Sequence, residues 1–214
     1  ISRKKFIKDI SYLTLGMVGL SNFILSSTKT INSLNQNLVL EEGRDGILKI
    51  LKGFKYNIIS KKGQLMSDGL KVPDHADGMT AFQGNNGKII LIRNHEIGLL
   101  KNMQDLLKLN PLAKEKTFIQ NNKDKFYDFG KDGNPCCGGT TTLVYNPTTN
   151  KLDAEYLSLT GTLINCSGGK TPWNTWISCE ETVENAGGNL QKNHGYNFEV
   201  VPSETINLNK AVPL

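Results

Sequence analysis

The run from Thr140 to Leu159, TTTLVYNPTTNKLDAEYLSL, constrains the fold of this 214-residue chain more than any other stretch. Two segments rich in β-branched, aromatic and aliphatic residues flank Asn146-Pro147-Thr148-Thr149-Asn150. Proline gives no N–H to a ladder and asparagine bends the backbone through its own side chain, so the centre predicts a turn and the flanks predict paired strands. Four further short runs have strand character: FKYNIIS (Phe54 to Ser60), KIILIRN (Lys88 to Asn94), TWISCEE (Thr175 to Glu181) and YNFEVV (Tyr196 to Val201). Short strands joined by tight turns predict an all-β fold, a sandwich or a propeller. No period of about 40 to 50 residues recurs by identity, so internal repeats do not choose between the two.

Against this pattern, LLKNMQDLLKLNPLAKEK, between Ile97 and Phe118, has Leu and Met spacing that predicts a short helical insertion stopped by Pro111. Residues 28 to 44 are polar, Asn-rich and without period, and read as a linker with little fixed structure. That leaves 45–214 as the β domain.

Residues 1–27 read as a signal segment with a helical apolar part. Ser2 to Lys8, SRKKFIK, is a charged stretch, and Ile10 to Leu25 is apolar but diluted by Gly and Ser. This suits a leader removed after export rather than a spanning helix of about 20 residues, so no stable membrane span is expected after processing. SRKKFIK also resembles the twin-arginine export motif S-R-R-x-F-L-K, with Lys4 in place of the second arginine. The twin-arginine machinery is thus an expected partner, and the periplasm or cell exterior the expected location. An uncleaved anchoring helix is the alternative.

The formal net charge of +5 invites an anionic partner, but Arg3, Lys4, Lys5 and Lys8 against Asp9 place +3 of it in residues 1–27, leaving +2 for the rest. Aromatics make up 7% and do not interleave with Lys or Arg, so there is no stacking platform for nucleic acid.

Three stretches gather chemistry-bearing residues. Arg93-Asn94-His95-Glu96 closes a strand, where Arg93 suits an anion and His95 and Glu96 suit a metal. Pro73 to Met79, PDHADGM, carries Asp74, His75 and Asp77, although Pro, Asp and Gly there also make a turn for backbone reasons alone. The densest is Gly161 to Thr182, GTLINCSGGKTPWNTWISCEET. Its Asn165 to Gly169 segment reads as a small-residue loop presenting Cys166. On the following strand, side chains alternate faces: Glu181 goes with Cys179 and Ile177, and Glu180 goes with Trp176 and Ser178. One ion therefore cannot take both glutamates while the strand stays regular. Trp173 and Trp176 are expected to pack in support.

A thiolate mixed with carboxylates points away from a simple calcium site, and no CxxC or HExxH spacing supports a zinc finger or zincin. In an exported chain, a Cys166 to Cys179 disulfide is the competing reading, and the adjacent Cys136 and Cys137 would not easily bond to each other.

The run NCSGGKTPWNTWISCEE (Asn165 to Glu181), preceded by GGTTTLVYNP (Gly138 to Pro147), DGMTAF (Asp77 to Phe82) and RNHE, resembles the PhoX-type alkaline phosphatase family over about residues 45 to 214. The resemblance implies part of a six-bladed β-propeller, exported, that hydrolyses small phosphate monoesters with iron (Fe3+) and calcium clustered at its axis. It implies Cys166 as an iron ligand, Glu181 as a calcium ligand and Glu96 as a further metal ligand. It names no catalytic side chain, since clustered cations would hold the phosphate oxygens and activate an oxygen nucleophile. A six-bladed ring needs roughly twice this length, and the family's further carboxylates and phosphate-binding arginine come from later blades. The chain is therefore expected to be an amino-terminal fragment, inactive alone. The alternative function is an exported β-propeller binding module with a decayed site and a structural Cys166.

Overall fold

The computed structural model describes residues 39–98, 113–131 and 133–214. The signal segment lies outside them, as does most of the predicted helical insertion. Among the described residues, no helix is long and apolar enough to cross a membrane.

Chain contacts define two units, divided between Asn57 and Ile58. In the first, β1 (Leu40–Glu42) pairs antiparallel with β2 (Lys49–Leu51). Gly43 N–H donates to Leu48 O at 2.8 Å to close the connection. The end of the segment read as a linker thus carries a strand.

The second unit is all-β apart from short helical turns and α1 (Ala113–Asn121). Strands β3 (Ala76–Gln83), β4 (Ile89–His95), β5 (Gly138–Asn146) and β6 (Lys151–Thr162) form one antiparallel sheet in chain order. That meander has the form of a propeller blade. A second meander follows in the same sense, β7 (Asn165–Lys170), β8 (Trp176–Glu180) and β9 (Asn197–Val200). Phe198 of β9 also bridges Pro213.

The predicted hairpin is β5–β6, and its turn chemistry is visible. Asn146 Oδ1 accepts from Thr148 N–H at 3.1 Å and Thr149 N–H at 3.4 Å, and Asn150 takes a left-handed φ of 54°. The two sheets share a core of Phe82, Ile90, Ile92, Leu159, Trp176, Phe198 and Val200, with Tyr127 from a connecting loop. Burial of each aliphatic or phenyl side chain there contributes on the order of 2 kcal/mol.

Several expectations are corrected. Phe54 to Ser60 forms no strand: Phe54 is 67% and Ile58 45% exposed, so β-type composition without a partner produces no ladder. The described helix α1 begins just beyond Pro111 and overlaps the end of the predicted insertion, whose earlier part lies outside the described residues. The PDHADGM turn runs straight into β3, and the small-residue loop at Cys166 is strand β7.

In both misread segments glycine serves close approach. A Cβ on Gly78 would sit 2.5 Å from the Cys166 carbonyl oxygen, and one on Gly168 would collide with the Ile177 carbonyl and the Trp176 ring. The ladder between β7 and β8 shifts register between Asn165 and Gly168, so Cys166 and Ser167 sit on a bulge.

Candidate functional site

A buried polar network sets the position of that bulge. Asn94, fully buried near the end of β4, donates from Nδ2 to the Ser167 carbonyl at 2.9 Å. Its Oδ1 accepts from Trp176 Nε1 and Ser178 Oγ, each at 2.9 Å. Asn165 Nδ2 donates to Ser178 Oγ at 3.0 Å, and its Oδ1 accepts from Thr162 Oγ1 at 2.6 Å. Every member is satisfied, and each such bond contributes about 1 kcal/mol net while fixing one geometry. Trp176 is therefore the packing support expected of it. Trp173 is not: it is 67% exposed and donates from Nε1 to Glu199 Oε1 at 2.6 Å.

Around the bulge the chain gathers carboxylates. Glu96 N–H donates to His75 O at 2.9 Å, Ile164 N–H to Ile97 O at 3.0 Å, and Glu181 N–H to Ile164 O at 2.8 Å. These bonds tie the ends of β3, β4, β7 and β8 together, and Gly78 lies on the Cys166 carbonyl. The Glu96 carboxyl is held above the usual carboxylate range by burial first, then by its hydrogen bond to Asp77 and the charges of Asp77 and Glu181, while His75 opposes the shift. Cys166 stands beside Cys179, whose thiol is pushed up by burial and by that neighbour. All four cysteines carry thiols, so the Cys166 to Cys179 staple is not formed.

This mouth fits hard cations by donor chemistry. Its carboxylates repel one another, and a bound cation relieves that repulsion. Among the described residues, the ligand atoms gathered within 4.8 Å of one another belong to Asp128, Cys136 and His194. Cys166, Glu96 and Glu181 span a wider mouth.

The other residues of RNHE serve the sheet. Arg93 pairs with Glu155 at 3.0 Å and donates to Thr141 Oγ1 and Ser60 Oγ at 3.1 Å, so its guanidinium is committed away from any anion in the mouth. His95 is buried, with Nδ1 at 2.8 Å from Asp74 O and Nε2 at 2.9 Å from Thr141 Oγ1. Donation from Nδ1–H to the carbonyl leaves Nε2 to accept from the threonine hydroxyl, so neither nitrogen is available to a metal. Burial, with Arg93 adding, lowers its pKa to about 4 and keeps the ring neutral.

Sequence reasoning missed a second cluster on the opposite face of β8. Glu180 turns inward. Its Oε1 accepts from Leu163 N–H at 2.8 Å and lies 2.7 Å from His194 Nδ1, and its Oε2 accepts from Gly195 and Tyr196 N–H at 2.7 and 3.1 Å. His194 Nε2 lies 3.2 Å from Asp128 Oδ2, which also accepts from Lys192 N–H at 3.0 Å. Burial pulls the His194 pKa down, but the hydrogen bonds and charges of Glu180 and Asp128 outweigh it and raise the value. The only sequence signal for this cluster was parity, which sent Glu180 away from Glu181.

Antiparallel meanders with carboxylates converging at one set of strand ends define an all-β protein with an oxygen-donor mouth. Comparison makes this more particular: the family model of alkaline phosphatase PhoX matches residues 36–213, and the chain belongs to that family. Membership supports an alkaline-phosphatase-like function and small phosphate-bearing substrates. No curated protein and no solved structure matches the chain at a significant level.

Proposed function

We propose that the protein is a metal-dependent alkaline phosphatase that hydrolyses phosphate monoesters after export to the periplasm or cell exterior. The observation that carries this reading is the convergence of Asp77, Glu96 and Glu181 beside the Cys166 bulge, in a chain of the PhoX family. Glu181 and Glu96 supply oxygen donors for calcium, Cys166 supplies the softer donor for iron, and Asp77 joins them as a carboxylate hydrogen-bonded to Glu96. Bound cations there supply positive charge for the phosphate oxygens and for the charge that develops during transfer.

The chain's own contribution is placement. Asn94 holds the Ser167 carbonyl and with it the bulge, and the Glu181 and Glu96 backbone bonds aim both carboxylates from fixed strand ends. The near twin-arginine motif in residues 2–8 supports the exported location. The test is turnover of p-nitrophenyl phosphate by the full-length protein before and after exhaustive chelation, with calcium and iron restored separately. The expected result is activity that chelation abolishes and the metals restore. Activity indifferent to chelation would contradict the proposal.

A further inference from the structure

The geometry points to a second metal site, buried and independent of the mouth, in which Asp128, Cys136 and His194 bind one divalent ion of the zinc class with Glu180 as the outer partner that orients the histidine. Three residue types with metal-ligand chemistry come together here, each buried, with ligand atoms all within 4.8 Å. Carboxylate, imidazole and thiol form a mixed O, N and S set. Such a set suits zinc or cobalt, whereas calcium asks for oxygen alone.

Three details support an ion at this place. The Asp128 Oδ2 to His194 Nε2 separation of 3.2 Å is close to the edge of a tetrahedron, about 3.3 Å, drawn by zinc bonds of about 2.0 to 2.1 Å. His194 Nδ1 is 2.7 Å from Glu180 Oε1, the carboxylate–histidine arrangement that fixes a ligating ring and directs the Nε2 lone pair at the metal. In addition, the Asp128 carboxylate is held in place by Gln191 N–H at 3.1 Å and Lys192 N–H at 3.0 Å, both to Oδ2, so it is presented to the histidine from a fixed loop. Leu163 and Leu190 pack with Cys136 and cover its side of the centre.

Without the ion, His194 stands between the carboxylates of Glu180 and Asp128 with one ring nitrogen turned to each. Ligation by the Cys136 thiolate and by the His194 Nε2 lone pair releases to solvent the thiol proton and any proton on Nε2. The ion then joins the loop before β5, which carries Asp128 and Cys136, to the loop before β9, which carries His194. The fourth position is left for water.

Cobalt(II) is the probe, because thiolate ligation gives it a charge-transfer band and a tetrahedral field gives it strong visible absorption. C166S removes the thiol of the mouth. The expected result is that full-length C166S still takes up cobalt with the thiolate band, and that zinc displaces it. C136S/C166S should lose the band and bind zinc more weakly by more than the 10- to 100-fold, roughly, that loss of an outer partner costs. If that variant does not fold, C137S/C166S/C179S, in which Cys136 is the remaining thiol, decides the matter. A thiolate–cobalt band in it supports the site. Its absence there, or a band that persists in C136S/C166S, overturns the proposal whatever the phosphatase assay shows.

Discussion

Glu180 and Glu181 are adjacent in sequence and opposite in fate. Glu180 is turned into a buried cluster where its two oxygens meet a histidine ring and three backbone N–H groups. Glu181 is exposed at the mouth, near the carboxylates of Glu96 and Asp77. The same functional group therefore does two different things one residue apart, because a strand sends successive side chains to opposite faces. The buried region is arranged so that its charges are satisfied by protein. In the mouth the carboxylates of Asp77, Glu96 and Glu181 bear on one another, which is the condition under which a bound cation gains most.

Truncating each glutamate in turn separates the two fates by the largest expected effect. E180A leaves His194 and three N–H donors without their acceptor, and is expected to cost about 3 to 5 kcal/mol in urea unfolding of the metal-free protein. E181A should leave the same metal-free stability within about 0.5 kcal/mol. Equal losses from the two would end the distinction. Next in size is N94A, which removes the hub joining Ser167, Trp176 and Ser178. It should cost about 3 kcal/mol and also weaken activity, since the bulge loses its anchor. A stable but inactive N94A would show that the network serves only the mouth.

His95 gives a pH-dependent effect. Its pKa falls from 6.5 in the unfolded chain to about 4 when folded, so the unfolded state binds the proton first as pH drops. Stability from this group is full above about pH 6.5, declines through the window down to about pH 4 and is level below it, by up to about 3 kcal/mol. Unfolding of wild type and H95Q in chelator at pH 7 and pH 4.5 isolates the contribution as the difference between their slopes. The smallest expected effect is that of W173A. This exposed side chain makes a surface hydrogen bond to Glu199, and its loss should change stability by less than about 1 kcal/mol, in contrast to buried Trp176.

Much of the strand order was legible. The Asn-Pro-Thr-Thr-Asn turn, KIILIRN, TWISCEE and YNFEVV all correspond to strands or turns within a residue or two of their predicted places, because each pairs a β-type run with polar punctuation. Strands β3 and β7 were hidden by glycines that read as turn formers and in fact allow one backbone to approach another. FKYNIIS failed for the converse reason: a strand needs a neighbour, and local composition does not supply one. In the mouth, the place of Glu181 and Glu96 at strand ends was legible from the strand pattern. Arg93 and His95 were not, since Thr141 and Glu155, which commit them, come from β5 and β6 by register alone. The cluster of Asp128, Cys136 and His194 draws on loops far apart in the chain and has no local spacing to announce it.

On the proposed reading, Glu181 bears a metal and Glu180 does not. This is tested most directly by calcium content and p-nitrophenyl phosphate turnover of full-length E181Q, measured beside wild type on protein whose metal-free unfolding is unchanged. E181Q is expected to retain its fold, lose bound calcium and fall in turnover by about 10²-fold or more. Wild-type calcium content and turnover in E181Q would contradict that reading.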